Sequence, residues 1–215
     1  MQRLEILNHV DHTLLAAFAS KKEILKLCAE AVENQTASVC IPPAYVKLAK
    51  ENFPNLNVCT VIGFPLGYSS TNAKLAEVND AILDGCDEFD MVINITWAKN
   101  GEFDKITDEI AAIKKAVGDK TLKVIIETCY LTEAEKIALC ACVTEAKADY
   151  IKTSTGFGTA GATLEDVALF KARVGDGIKI KAAGGIRTKE DLQAYIDAGC
   201  DRIGASGAIK ALSKL

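Results

Sequence analysis

The chain has 215 residues, 49% of them hydrophobic and 25% charged, and 25 Lys+Arg against 29 Asp+Glu give a net charge of −4. A chain this long buries roughly 70% of the surface it exposes when unfolded, so it needs no staples, and its acidic balance argues against sequence-independent nucleic-acid binding. No uncharged apolar run approaches the ~18 residues of a membrane span, and the charged start MQRLEILNHVDH lacks a secretory core. The expected location is therefore the cytoplasm. Ser213-Lys214-Leu215 matches a peroxisomal address, a short pattern that arises easily by chance.

Short β-rich runs alternate with amphipathic stretches along the whole chain. The expected strands are Val10–Leu15, Ser38–Ile41, Val58–Gly63, Glu88–Asn94, Lys123–Thr128, Tyr150–Ser154, Ile178–Ala182 and Arg202–Gly204. Between them, patterns such as KKEILKLCAEAVEN, FDKITDEIAAIKKAVG and TKEDLQAYIDAG repeat apolar residues near i, i+3, i+4 and i+7. Thr188 with Asp191 marks a capped helix start that Gly199 closes, and Gly85 and Gly118 end two other helices. Strands separated by helices imply right-handed parallel crossovers. Eight units of about 27 residues each predict a compact (β/α)8 TIM barrel, an α/β fold. No linker divides the chain, so residues 1–215 form one domain, with a short helix over Gln2–Asn8 at the bottom.

Side chains alternate faces along a strand. In Tyr150–Ser154, Ile151 suits the helix side and Lys152 points inward. In the seventh strand Ile178 and Ile180 suit the helices, leaving Lys179 and Lys181 inward. In the fourth, Phe89, Met91 and Ile93 go outward and Asp90 goes inward. A plain salt-bridge layer explains one lysine beside Asp90, but two lysines with so few nearby acids exceed it. An ordinary lysine is almost wholly protonated at pH 7. A second ammonium nearby favours the free amine; a shift of about 3 units costs roughly 4 kcal/mol. Such an amine can form a Schiff base with a carbonyl substrate.

Two glycine loops suggest an anion site. Ala183-Gly184-Gly185-Ile186-Arg187-Thr188 follows the seventh strand, and Gly204-Ala205-Ser206-Gly207 follows the eighth. The loops after strands 7 and 8 are the usual phosphate site of this barrel. The eight cysteines contain no CxxC pair and read as small buried hydrophobes of a reducing compartment, with Cys40 the one nearest a site. His12 faces away from Asp11 and Thr13 and is expected to be packed and hydrogen-bonded, and Glu127 is expected to pair with Lys123 or a catalytic lysine. The nearly all-apolar stretch Ile137–Val143 suggests deep packing or a subunit contact.

The motifs DHTLL (Asp11–Leu15), VCIPP (Val39–Pro43), VIGFPLG (Val61–Gly67), EFDMVINI (Glu88–Ile95), KVIIET (Lys123–Thr128), YIKTSTGFG (Tyr150–Gly158), KAAGGIRT (Lys181–Thr188) and RIGAS (Arg202–Ser206) occur in this order. The chain resembles the deoxyribose-phosphate aldolase family of class I aldolases. The resemblance implies reversible cleavage of 2-deoxy-D-ribose 5-phosphate to D-glyceraldehyde 3-phosphate and acetaldehyde. It places the Schiff-base lysine at Lys152, a second lysine at Lys181, the catalytic aspartate at Asp90 and a supporting aspartate at Asp11. Around the two lysines and Asp90, Asp11, Thr13, Cys40, Thr155, Gly156, Gly184, Gly185, Gly204 and Ser206 are expected to bind substrate. It implies no metal and no cofactor. The partners it implies are a sugar phosphate and aldehydes, and it leaves a homodimer and a monomer open. Where some relatives carry a lysine after KTSTG, this chain has Phe157, so the phosphate charge has to be met elsewhere. The competing reading is another phosphate-binding barrel enzyme, such as a sugar-phosphate isomerase.

Overall fold

The computed structural model describes residues 1–213. Lys214 and Leu215, the end of the peroxisomal match, lie outside the described residues. Eight strands, β1 (Val10–Thr13), β2 (Ser38–Ile41), β3 (Val58–Ile62), β4 (Glu88–Val92), β5 (Thr121–Ile125), β6 (Tyr150–Lys152), β7 (Lys179–Ala183) and β8 (Arg202–Ala205), pair in sequence order into a closed parallel barrel. β8 returns to β1, with Asp11 opposite Gly204. The expected (β/α)8 TIM barrel is the fold observed, with the short amino-terminal helix α1 over Arg3–Leu7.

The other helices are α2 (Lys21–Asn34), α3 (Val46–Asn52), α4 (Thr71–Leu83), α5 (Ile95–Lys99), α6 (Phe103–Val117), α7 (Glu133–Glu145), α8 (Leu164–Arg173), α9 (Lys189–Asp197) and α10 (Ala208–Ala211). Local chemistry sets their ends. Thr188 accepts from the Asp191 amide while Asp191 reaches back to the Thr188 amide, the cap expected from sequence. Ser20 with Glu23 and Thr132 with Glu135 do the same at α2 and α7. Each cap stabilises its helix by about 1 kcal/mol. The apolar stretch Ile137–Val143 lies within α7, where Leu139, Cys140, Cys142 and Val143 are buried.

The main apolar core lies between barrel and helices. Phe89, Met91, Ile151, Ile180 and Ile203 point outward from their strands into it, against helix residues such as Val78, Ile110, Val143 and Phe170. The opposite strand face is different: it carries Asp11, Ser38, Glu88, Asp90, Lys123, Lys152 and Lys181, all buried. β5 starts and stops earlier than expected. Its run ends at Ile125 because Glu127 turns the chain with φ 55, in the left-handed region, and Thr128–Tyr130 then form a 3-10 turn. Among the described residues, no helix is long and apolar enough to cross a membrane.

Candidate active site

Strand register stacks the inward charges. Lys152 on β6 pairs directly with Lys181 on β7, Lys181 with Arg202 on β8, and Asp90 on β4 with Lys123 on β5. Lowest in the stack, Arg202 lies 5.8 Å and Lys179 5.6 Å from the centre of the Tyr150 ring. Lys179 is exposed there, at the lower rim. Above it, Glu88 meets Arg202 at 3.1 Å and Lys123 at 2.6 Å. Arg202 also donates to Asp11 Oδ1 at 2.6 Å, beside the Ser38 hydroxyl at 2.7 Å.

Asp90 is the hub. Its Oδ1 accepts from Lys123 at 2.8 Å, and its Oδ2 accepts from Lys152 and from Lys181, each at 2.6 Å. Lys181 also donates to Asp11. Burial alone pushes Asp90 up, but Lys123, Lys152 and Lys181 outweigh it and hold the carboxyl well below the usual range. Burial likewise opposes the charge on Asp11, and Lys181, Lys123 and Arg202 overcome it. Burial works against the Lys181 ammonium too, yet Asp11 and Asp90 raise it above the ordinary lysine value. Lys123 is raised in the same way, chiefly by Asp90 against burial.

These contacts correct one expectation. The inward acids are not few: Asp11, Glu88 and Asp90 face Lys123, Lys152, Lys181 and Arg202. The salt-bridge layer and the paired lysines are therefore one structure, and Asp90 stands between the two ammonium groups. Lys123, Glu88 and Arg202 were missing from the sequence-based site. The signal was present, because Glu88 shares the face of Asp90, and Lys123 follows the alternation that sends Val124 outward.

A cavity of about 550 Å³ opens at the carboxyl ends of the strands, a size suited to a small ligand. Lys152 lines it at 3% exposure, whereas Lys123, Lys181, Asp11 and Asp90 are fully buried beneath. Thr13, Thr155 and Gly156 line it, as do Gly184, Gly185, Gly204 and Ser206. Cys40 and Asp11, expected to touch substrate, are buried away from this lining. Arg187 is the other cation on the wall, exposed at the end of the Gly184-Gly185 loop. Gly184 has φ 86, and a Cβ there would come within 2.9 Å of the Gly161 Cα, so the loop takes this path only with glycine.

Glu127 does not pair with a lysine as expected. Its carboxylate accepts from the Thr155 amide at 3.2 Å and from the Thr155 hydroxyl. Burial pushes it up, partly offset by those two bonds. Thr155 in turn accepts from the Phe157 amide at 3.0 Å, and the Phe157 ring packs edge-on to Phe64 with centroids 5.4 Å apart. The strained turn at Glu127 thus holds the loop beside Lys152. His12 bonds Glu30 at 3.0 Å on the helix side, as expected.

The family model for the DeoC/LacD family aldolases matches residues 6–213. The chain belongs to the DeoC/LacD aldolase family. Among curated members, it is 60% identical over 210 residues to a protein named deoxyribose-phosphate aldolase from Clostridium botulinum, covering 97% of this chain and 95% of that one. A deoxyribose-phosphate aldolase from Clostridioides difficile is 55% identical over 208 residues, 96% and 95% of the two chains. Among solved structures, a tetrameric deoxyribose phosphate aldolase from Aeropyrum pernix superposes with a TM-score of 0.88 at 28% identity, covering 99% of this aldolase and 92% of that chain.

Proposed function

We propose that this aldolase cleaves 2-deoxy-D-ribose 5-phosphate reversibly to D-glyceraldehyde 3-phosphate and acetaldehyde, with Lys152 as the Schiff-base nucleophile. The observation that carries the reading is the position of Lys152. It alone of the four cluster cations lines the cavity, and it keeps a single carboxylate partner, Asp90. Three carboxylates face four cations in the cluster, so loss of one proton balances it. A free amine at Lys152 attacks C1 of the open-chain aldehyde, and loss of water gives the iminium.

Forming that bond uses up N–H donors that Lys152 had given to Asp90. Asp90 then regains acceptor capacity and takes the proton from the C3 hydroxyl through one water, with the Lys181 ammonium beside it steadying the carboxylate. The C2–C3 bond breaks, its electrons move to the iminium to give an enamine, and the first aldehyde leaves. Protonation at C2 and hydrolysis release acetaldehyde and restore the amine. Lys181 and Asp11 hold Asp90 in place throughout. At the other end of the cavity, Gly184, Gly185, Gly204 and Ser206 receive the 5-phosphate, and Arg187 supplies the cation that Phe157 does not. Binding there positions the reacting end. The site works with protein groups only, on a small sugar phosphate, in the cytoplasm, and light scattering decides between the homodimer and the monomer that the resemblance leaves open.

Borohydride reduction in the presence of deoxyribose 5-phosphate, followed by peptide mass mapping, tests the assignment. The expected result is a reduced adduct on Lys152 and none in Lys152→Ala. An adduct on another lysine, or on the Lys152→Ala protein, overturns it. An isomerase using the same cavity gains no adduct.

A further inference from the structure

Two cysteines that the mechanism leaves unused lie against its central carboxylate. Cys40 on β2 and Cys59 on β3 are direct partners across neighbouring strands. Both are buried and belong to a small inner cluster apart from the main core. Neighbouring strands run about 4.8 Å apart, inside the ~4.4–6.8 Å range of Cα separations that a disulfide spans. The two sulfurs and an oxygen of Asp90 all lie within 4.8 Å of one another. Cys59 donates to Asp90 Oδ1 at 3.1 Å, and its sulfur accepts from Lys123 at 3.2 Å.

The pair is chemically uneven. The adjoining Cys59 sulfur draws the Cys40 thiol below its ordinary value against burial and Asp90, with help from Lys181 and Lys152. Burial and the same contact push Cys59 up. One thiol is suited to attack and the other to resolve. The cluster packs against Leu15, which also lines the cavity, so the pair sits one side chain behind the mouth. A bound cation at these ligand atoms would face Lys123, Lys152 and Lys181 around Asp90; a disulfide adds no charge.

We propose that Cys40 and Cys59 form a reversible disulfide in response to hydrogen peroxide, and that this bond switches the charged centre off. The Cys40 thiolate attacks one peroxide oxygen, breaking the O–O bond; the other oxygen leaves as water after taking up a proton, and Cys40 becomes a sulfenic acid. The Cys59 sulfur then attacks the Cys40 sulfur, the S–O bond breaks, and a second water leaves. Two thiols are oxidised and one peroxide is reduced to two waters. Asp90 thereby loses the Cys59 S–H donor, and Lys123 loses the sulfur it contacts. Both changes fall on the group that holds Lys152 and Lys181. Disulfides of reducing compartments are typically of this transient kind.

The reduced full-length protein is treated with hydrogen peroxide, alkylated and peptide-mapped, with aldol cleavage measured in parallel. The expected result is a Cys40–Cys59 linked peptide lacking two hydrogens, and an activity loss that dithiothreitol restores. Cys59→Ala, normalised to its own untreated rate, loses the dithiothreitol-reversible component. Cys129→Ser, which removes the half-buried thiol, behaves like the parent. Oxygen addition at Cys40 without a link, a link between other cysteines, or an unchanged rate in the linked protein overturns the proposal. The peptide map of the unaltered chain decides the linkage even where a variant folds poorly, and it does so whichever sugar phosphate the enzyme takes.

Discussion

Lys152 and Lys181 donate to the same oxygen of Asp90, each at 2.6 Å. One carboxylate oxygen therefore sets the position of both amines, one open to the cavity and the other sealed beneath it. Asp11 completes the arrangement by taking a second bond from Lys181. The geometry holds the Lys152 amine from behind and leaves its front open to the cavity.

Asp90→Asn keeps the side-chain shape but removes the charge. Lys123, Lys152 and Lys181 then share an uncharged partner. Breaking a buried ion pair on one side costs about 3–5 kcal/mol. Urea denaturation should show a loss of that size, and cleavage of deoxyribose 5-phosphate should fall by at least ~100-fold, the lower bound for losing an acid–base group.

Lys123→Met separates structure from chemistry. Lys123 holds Glu88 and Asp90 yet does not line the cavity. Its removal should also lower stability by about 3–5 kcal/mol. Borohydride should still trap the substrate at Lys152. A variant that stays fully stable would show that the lower layer does not bear on the fold.

Arg187→Ala should act on the phosphate. The side chain stands exposed on the cavity wall. The ratio of kcat/KM for deoxyribose 5-phosphate to that for deoxyribose should drop by roughly tenfold to a hundredfold, the range of a charge-assisted hydrogen bond. Added salt should shrink the difference. An unchanged ratio would remove Arg187 from substrate recognition.

The share of stability that comes from the buried ion cluster should be flat between two limits. Asp11 and Asp90 sit below their ordinary values in the folded state. The unfolded chain therefore binds more protons, and their stabilisation is complete above about pH 3.9 and is lost as pH falls through the folded values. Lys181 sits above its ordinary value, so its share is complete below about pH 10.4 and is lost as pH rises through the folded value. Glu127 is raised, so it opposes folding as pH climbs past about 4.3; Glu127→Gln should remove that slope. Thermal unfolding across the pH range checks all three signs.

Much of this site was legible before any coordinates. Alternation alone sent Lys152, Lys181 and Asp90 inward, because each adjoins an apolar residue that the helices cover. The same rule applies to Lys123 and Glu88, but it says nothing about which strands meet across the interior. The contact of Arg202 with Asp11 depends on β8 closing against β1, a long-range event with no local trace. The turn at Glu127 was illegible for another reason. A glutamate carries no preference for φ 55; the bonds from Thr155, 28 residues away, hold it there. Likewise, Asp90's place between the lysines follows from barrel diameter and side-chain length, not from spacing along the chain.

The Asp11–Arg202 contact joins residues 191 positions apart. During synthesis the first strand must wait for the last before its carboxylate meets this guanidinium. A nascent chain with only seven strands has its lysines and Asp90 but no lower clasp. Assembly of the charged centre therefore waits on barrel closure, whatever the order in which the other strands pair.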